Sequence, residues 1–157
     1  MRHAGLQALA SLRLEKAYRD FGHDIGNMDT PLEAGLSFAV KLDKPGGFVG
    51  RDALVRQKEE GVPRRRLVNF ILDDAEPLLY HGETIWRNGE RVGFIRAGAY
   101  GHTLGASVGL GYVESNERPT KSYLDEGTWE IEIALERHTA RASLRPFYDP
   151  KGERIRS

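Results

Sequence analysis

The sequence predicts an α+β fold in which a helix, a strand and a second helix precede a small antiparallel β-barrel of about six strands, with a sandwich as the alternative arrangement of those strands. Three observations carry this. Apolar residues recur at intervals of three and four from Leu6 to Phe21, the apolar period changes to two from Arg64 onward, and six or so short strand-like runs follow with no helical pattern between them. The change of period places a boundary near residues 60–64, dividing the chain into 1–61 and 62–157.

Leu6, Leu9, Ala10, Leu14, Ala17, Tyr18 and Phe21 form one apolar face of the first helix, with Arg13, Lys16, Arg19 and Asp20 largely opposite. Gly22 is the expected stop, and Glu15 with Arg19 an expected i,i+4 pair worth a few tenths of a kcal/mol. Gly35 to Leu42 reads as a buried strand ended by Pro45-Gly46-Gly47. Arg51 to Glu60 is free of Gly and Pro, rich in helix formers, and closed by Gly61 and Pro63, which predicts the second helix. In the barrel region Val68, Phe70 and Leu72 alternate with Leu67, Asn69 and Ile71. Asn88-Gly89 is a strong hairpin signal, and Trp129, Ile131, Ile133 and Leu135 alternate with glutamates. With Val92 to Ala99, Ala106 to Val113 and Thr139 to Leu144, these runs are expected to be half-buried strands.

Composition excludes several classes. Lys plus Arg equals Asp plus Glu at 23 each, so net charge recommends neither nucleic acid nor an anionic membrane. There is no cysteine, hence no disulfide, thiolate metal site or cysteine nucleophile, a pattern compatible with a soluble, cytoplasmic protein. No window approaches the roughly 20 apolar residues of a membrane helix.

The candidate constellations are weak taken singly. Glycines crowd residues 98–111, but no Gly-Lys-Ser/Thr follows and no helix is signalled behind them, so bends and bulges are expected rather than a phosphate loop. The five histidines show no ligand spacing, so no metal site is expected. His23-Asp24 could be an oriented base, Arg64-Arg65-Arg66 reads as a strand entry, and Glu130, Glu132 and Glu136 as the wet face of a strand. Arg13, Glu15, Tyr18 and Phe21 offer aromatic walls and polar partners of the kind that planar ligands such as pterins use.

Taken in order, Ser11-Leu-Arg-Leu-Glu-Lys-Ala-Tyr-Arg19, Gly22-His-Asp24, Thr30-Pro-Leu-Glu-Ala-Gly-Leu36 and Lys44-Pro-Gly-Gly-Phe-Val-Gly-Arg-Asp-Ala-Leu54 resemble the folate-dependent aminomethyltransferase superfamily. Val92-Gly-Phe-Ile-Arg-Ala-Gly98, Gly111-Tyr-Val113 and Pro146-Phe-Tyr-Asp-Pro150 extend the likeness to nearly the whole chain. Glu15-Lys16-Ala17-Tyr18-Arg19 and the Phe147-Tyr148-Asp149-Pro150 ending are most similar to the C-terminal folate portions of sarcosine and dimethylglycine dehydrogenases.

The resemblance implies the C-terminal part of a folate domain followed by the family's barrel, with tetrahydrofolate as cofactor and FAD only where an upstream domain exists. It implies that the family's catalytic aspartate lies upstream, so no catalytic residue is assigned here. A folate-binding arginine of the plain T-protein corresponds to Leu9, and Arg13, Tyr18 and Tyr148 are the remaining cofactor-binding candidates. The function implied is one-carbon transfer in glycine, sarcosine or dimethylglycine catabolism, with this portion forming a wall of the folate channel and inactive alone. The alternative is a non-catalytic module that completes a folate-enzyme ring with a separate chain. The expected partners are the missing N-terminal half or a separate subunit, with self-association through exposed apolar faces.

Overall fold

The computed structural model describes residues 3–154 and residue 156. Helix α1 (Leu6–Glu15) stops earlier than the Gly22 signal suggests. Ala17 takes the left-handed conformation, φ 57°, while the Tyr18 and Ala17 amides donate back to Arg13 O and Leu14 O at 2.8 and 3.0 Å, closing a Schellman motif. A left-handed alanine costs about 1–2 kcal/mol. Its methyl group is buried in the cluster with Leu14, Leu67 and Ile71, which offsets much of that cost. Because the helix has ended, the expected Glu15–Arg19 pair does not form, and each side chain bonds elsewhere.

The strand expected over Gly35 to Leu42 is absent. Only a 3₁₀ turn, Ser37–Ala39, occupies the stretch, and it buries no side chain. The physical reason is that the barrel closes on itself and leaves no edge for a further strand to join. Helix α2 (Arg51–Glu59) forms as the sequence predicts and ends at Gly61 with φ 91°.

The barrel strands are β1 (Arg65–Leu72), β2 (Thr84–Arg87), β3 (Glu90–Gly101), β4 (Ala106–Glu114), β5 (Trp129–Ile133) and β6 (Glu136–Ser143). Every pairing is antiparallel, and the closed order is β1-β4-β3-β2-β5-β6. Asn88-Gly89 makes the β2–β3 turn, both residues at positive φ, as its sequence signal requires. Two expectations are corrected. A short helix, α3 (Lys121–Asp125), capped by the Thr120 hydroxyl, interrupts the strand series between β4 and β5. The run through Leu135 also breaks at Ala134-Leu135, both at positive φ, into the β5–β6 hairpin.

Strands β1 and β4 are not half-wet, because both of their faces are covered. Val68, Phe70 and Leu72 point into the barrel with Ile85, Ile95, Trp129 and Ile131. Leu67 and Ile71 point outward into a second cluster with Leu14, Ala17, Val108 and Leu110, where α1 lies against β3 and β4. Full burial of Leu14 is worth roughly 1.5–3 kcal/mol, so α1 is fixed to the barrel rather than to residues near it in sequence. The crowded glycines serve packing. A Cβ on Gly98 would lie 2.5 Å from Leu79 Cβ, and one on Gly93 1.8 Å from Tyr112 O. Among the described residues no helix is long and apolar enough to cross a membrane.

Candidate functional site

The stretch Arg13 to Arg19 ends α1 and sends four charged side chains to four different neighbours. Glu15 is 2% exposed. Its carboxylate accepts from the Thr103 amide at 2.7 Å, the Thr103 hydroxyl at 2.9 Å and the Leu104 amide at 3.2 Å in the β3–β4 turn. Lys16 Nζ donates to Asp149 O at 2.7 Å and pairs with its carboxylate at 3.1 Å, tying the helix to the C-terminal segment. Burial would raise the Asp149 pKa, but the Lys16 ammonium and the Glu153 amide more than offset it and hold the group below the usual carboxylate range. Arg13 pairs with the fully buried Asp24 and donates to Tyr18 O at 3.1 Å. Arg19 donates to Ala34 O at 3.0 Å and Ala17 O at 2.6 Å, and burial lowers its pKa.

These bonds set the positions of the three sequence candidates. Tyr18 is 56% exposed and, with Ile25, Leu36, Phe38, Pro146 and Pro150, lines a cleft of about 690 Å³ that Lys151 and Arg156 also border. Arg13 sits behind it, holding the Tyr18 carbonyl and the loop that carries Asp24. Tyr148 lies on the other side of the helix end. Its amide donates to Glu15 O at 3.3 Å, its hydroxyl accepts from Arg154 at 3.2 Å, and Lys16 Nζ is 5.8 Å from its ring centroid. The three candidates therefore surround one helix terminus, and of them Tyr18 faces the cleft.

The His23-Asp24 base is not assembled. Asp24 is taken by Arg13 and by the Asp20 amide at 2.8 Å, and the exposed His23 ring pairs instead with Asp20 at 3.0 Å. Among the described residues no group of three or more His, Asp or Glu side chains is placed to hold a metal ion.

A second polar cluster, which the sequence did not announce, joins the loop after α1 to the barrel. Arg65 pairs with the buried Asp29 at 2.7 Å and lies 3.6 Å from the Tyr112 ring centroid. Burial acts to raise the Asp29 pKa, and the Arg65 and Gly26 hydrogen bonds outweigh it, leaving the carboxyl below its ordinary value. Burial, with the Asp29 charge, pushes the Tyr112 phenol well up, and its hydroxyl is buried without a hydrogen-bond partner. The single apolar face expected for α1 is split: Leu14 is buried on the barrel, whereas Leu6 and Leu9 point outward with Leu12, at 83, 59 and 55% exposed, and Tyr18 and Phe21 lie beyond the helix end.

The chain resembles known proteins over both of its parts. The model of the glycine cleavage T-protein C-terminal barrel domain matches residues 65–149, and that of the GCVT N-terminal domain matches residues 1–44. The chain is 45% identical, over 98% of its length, to the 4-methylaminobutanoate oxidase (formaldehyde-forming) of Paenarthrobacter nicotinovorans, of which it spans 18%. It is 43% identical over 93% of its length to a mitochondrial pyruvate dehydrogenase phosphatase regulatory subunit of Mus musculus, and 36% identical over 98% to mitochondrial sarcosine dehydrogenase of Homo sapiens. It spans 18% and 17% of those two proteins. The crystal structure of the glycine cleavage system aminomethyltransferase T of Bartonella henselae superposes with a TM-score of 0.76 at 25% identity, covering 91% of this chain and 38% of that one.

Proposed function

Because this chain belongs to the glycine cleavage T-protein family, we propose that it acts as the C-terminal portion of a tetrahydrofolate-dependent one-carbon transferase working on methylated glycines, forming one wall of the folate channel. The observation that carries this reading is the combination of the barrel match with an open aromatic cleft at the very helix end where the resemblance is densest. The cleft suits a planar ring system with an anionic substituent. Tyr18 and Phe38 offer aromatic faces, while Lys151 and Arg156 supply positive charge at its border. Bound tetrahydrofolate would supply the amine nitrogen that takes up the one-carbon unit. Tyr18 stacks on the ligand, Arg13 keeps the Tyr18 backbone in place, and Tyr148 with Lys16 fixes the C-terminal segment that forms the far wall. Any FAD belongs to a different region of a longer protein, and no residue here is given a catalytic role. The reading takes the protein to be cytoplasmic.

Titration calorimetry with tetrahydrofolate tests the wall. Wild type is expected to bind weakly and Tyr18→Ala at least about tenfold more weakly, the loss of one stacking aromatic. Turnover of sarcosine or dimethylglycine with tetrahydrofolate by this chain alone would refute the assignment of catalysis elsewhere.

A second reading has its own support, since one relative is named as a regulatory subunit rather than an enzyme. In it the chain is a binding module that completes a ring with another chain through the exposed α1 leucines. Exposed apolar faces of this kind also favour self-association, expected as a concentration-dependent mass in light scattering. A clean monomer at high concentration, combined with full tetrahydrofolate affinity, would leave the module reading without a basis.

A further inference from the structure

Strand β3 leaves regular register twice. Against β2 the pairing passes from Ile85 with Gly93 to Trp86 with Arg91, so Val92 has no partner there, and against β4 it passes from Ile95 with Gly111 to Ala97 with Leu110, so Arg96 has none. A β-bulge re-aims the side chains beside it, and bulges gather next to functional sites. These two flank an open cavity of about 420 Å³ on the outer surface of the barrel, lined by Arg65, Arg91, Phe94, Arg96, Tyr112 and Glu114. That volume lies within the roughly 300–1,000 Å³ that small organic ligands occupy. The cavity shares no lining residue with the cleft beside Tyr18.

Its three arginines are unevenly engaged. Arg65 faces Asp29 at 2.7 Å and Glu33 at 3.7 Å and lies over the Tyr112 ring. Arg96 reaches Asp29 only at 3.9 Å, too far for a hydrogen bond. Among the described residues Arg91 meets no carboxylate, and it stands 5.7 Å from the centroid of the exposed Phe94 ring. With Arg65 matched, Arg91 and Arg96 stand against Glu114 alone, and two cations against one anion leave a single positive charge. That balance suits a monoanion and disfavours a phosphate dianion. A guanidinium offers a planar fork of donors, which fits the two oxygens of a carboxylate. Phe94 sits opposite Tyr112 across the β3–β4 pair and supplies an aromatic surface next to the charges. Tyr112, itself buried, adds a hydroxyl that finds no partner among the described residues. We propose that this cavity is a second ligand site, independent of the folate reading, that takes a small aromatic carboxylate. Arg91 and Arg96 hold the carboxylate, and the ring of the ligand lies on Phe94.

Amide-resolved NMR titration of the whole chain with benzoate, at constant ionic strength, tests this. Benzoate is expected to shift the amides of residues 91–96 and of Tyr112 saturably, with a dissociation constant of roughly 1 mM, the range open to a ligand of so few atoms. Acetate, which lacks the ring, and benzamide, which lacks the charge, should each bind at least about tenfold more weakly. Arg91→Gln with Arg96→Gln should weaken benzoate at least about tenfold with the β5 and β6 amides unmoved. Arg145→Gln, a change to an exposed arginine outside the cavity, should leave benzoate binding as it is. Arg91→Lys keeps the charge and loses the fork, and should weaken benzoate by about threefold or more even where the double variant does not fold. The absence of saturable shifts at residues 91–96 up to about 50 mM benzoate overturns the site, as does equal binding of benzamide. Tighter binding of inorganic phosphate overturns the carboxylate class, and equal binding of acetate removes the role given to Phe94. Shifts confined to Tyr18 and Phe38 place benzoate in the other cleft and also overturn the proposal. Tyr18→Ala is expected to leave the benzoate shifts at residues 91–96 intact, so this site and the folate reading fail separately.

Discussion

The Glu15 carboxylate accepts both the amide and the hydroxyl of Thr103, 88 residues further along the chain, at 2.7 and 2.9 Å. With the Leu104 amide as a third donor, the buried charge is satisfied entirely by the β3–β4 turn. Glu15→Ala leaves the Thr103 amide without a partner, while the Leu104 amide keeps Gly101 O at 3.1 Å, and is expected to cost roughly 1–3 kcal/mol, with Thr103→Ala costing about 1 kcal/mol. Denaturant melts of both single variants and the double variant check this. A coupling energy above about 0.5 kcal/mol is expected, and additivity would show that the carboxylate is held elsewhere.

Gly93 and Gly98 are expected to be intolerant of a methyl group, because the atoms in the way are backbone or Leu79 Cβ and neither can rotate aside. Gly93→Ala and Gly98→Ala should each cost about 1–3 kcal/mol or more. Gly26→Ala, whose Cβ would meet only Asp29 Oδ2 at 3.8 Å, should stay within about 0.5 kcal/mol by the same thermal melts.

The β5–β6 turn sets Ala134 and Leu135 at φ 51° and 71°, with the leucine side chain in solvent. This two-residue geometry prefers Asn-Gly, and each ill-suited residue costs on the order of 1 kcal/mol. The double change Ala134→Asn with Leu135→Gly is therefore expected to stabilise the chain by about 1–2 kcal/mol, measured as a shift of the denaturant midpoint with unchanged slope.

Asp29 carries a depressed pKa, so its ionised form is favoured in the fold, and its contribution is present above the unfolded value of about 3.9 and lost as pH falls below it. Stability should be level from pH 7 to 5 and fall below about pH 4. Asp29→Asn should lower stability at neutral pH and flatten the acid limb of the profile. An unchanged limb would place the titrating group elsewhere, with Asp149 the next to test.

The barrel was legible because each strand advertises itself locally. Asn88-Gly89 can hardly be anything but a hairpin, and the alternation around Phe70 survives any packing partner. What sequence could not give were decisions made by distant neighbours. Ala17 ends α1 because its methyl group is swallowed by Leu67 and Ile71, whereas the glycine that looked like the stop lies beyond it. Gly35 to Leu42 has the composition of a strand but no open edge to pair with. In the candidate site, Tyr18 was visible as an aromatic at a helix end. The tasks of Glu15, Lys16 and Asp29 were not, since their partners Thr103, Asp149 and Arg65 lie in other elements. No periodicity records such pairs.

Closure of the barrel also dictates an order of events during synthesis. Strand β1 pairs with no earlier strand, only with β4 and β6, and the Glu15 carboxylate at the end of α1 finds its donors only at Thr103 and Leu104. At roughly 5–20 residues added per second, Glu15 waits about 4–18 s before Thr103 follows it out of the ribosome, and β1 waits somewhat less for β6, whose Ser143 pairs with Asn69. For much of that interval Leu14 has only Leu67 and Ile71 of an unpaired β1 to pack on, and exposed apolar surface of this kind is what makes a nascent chain prone to aggregate before its barrel closes.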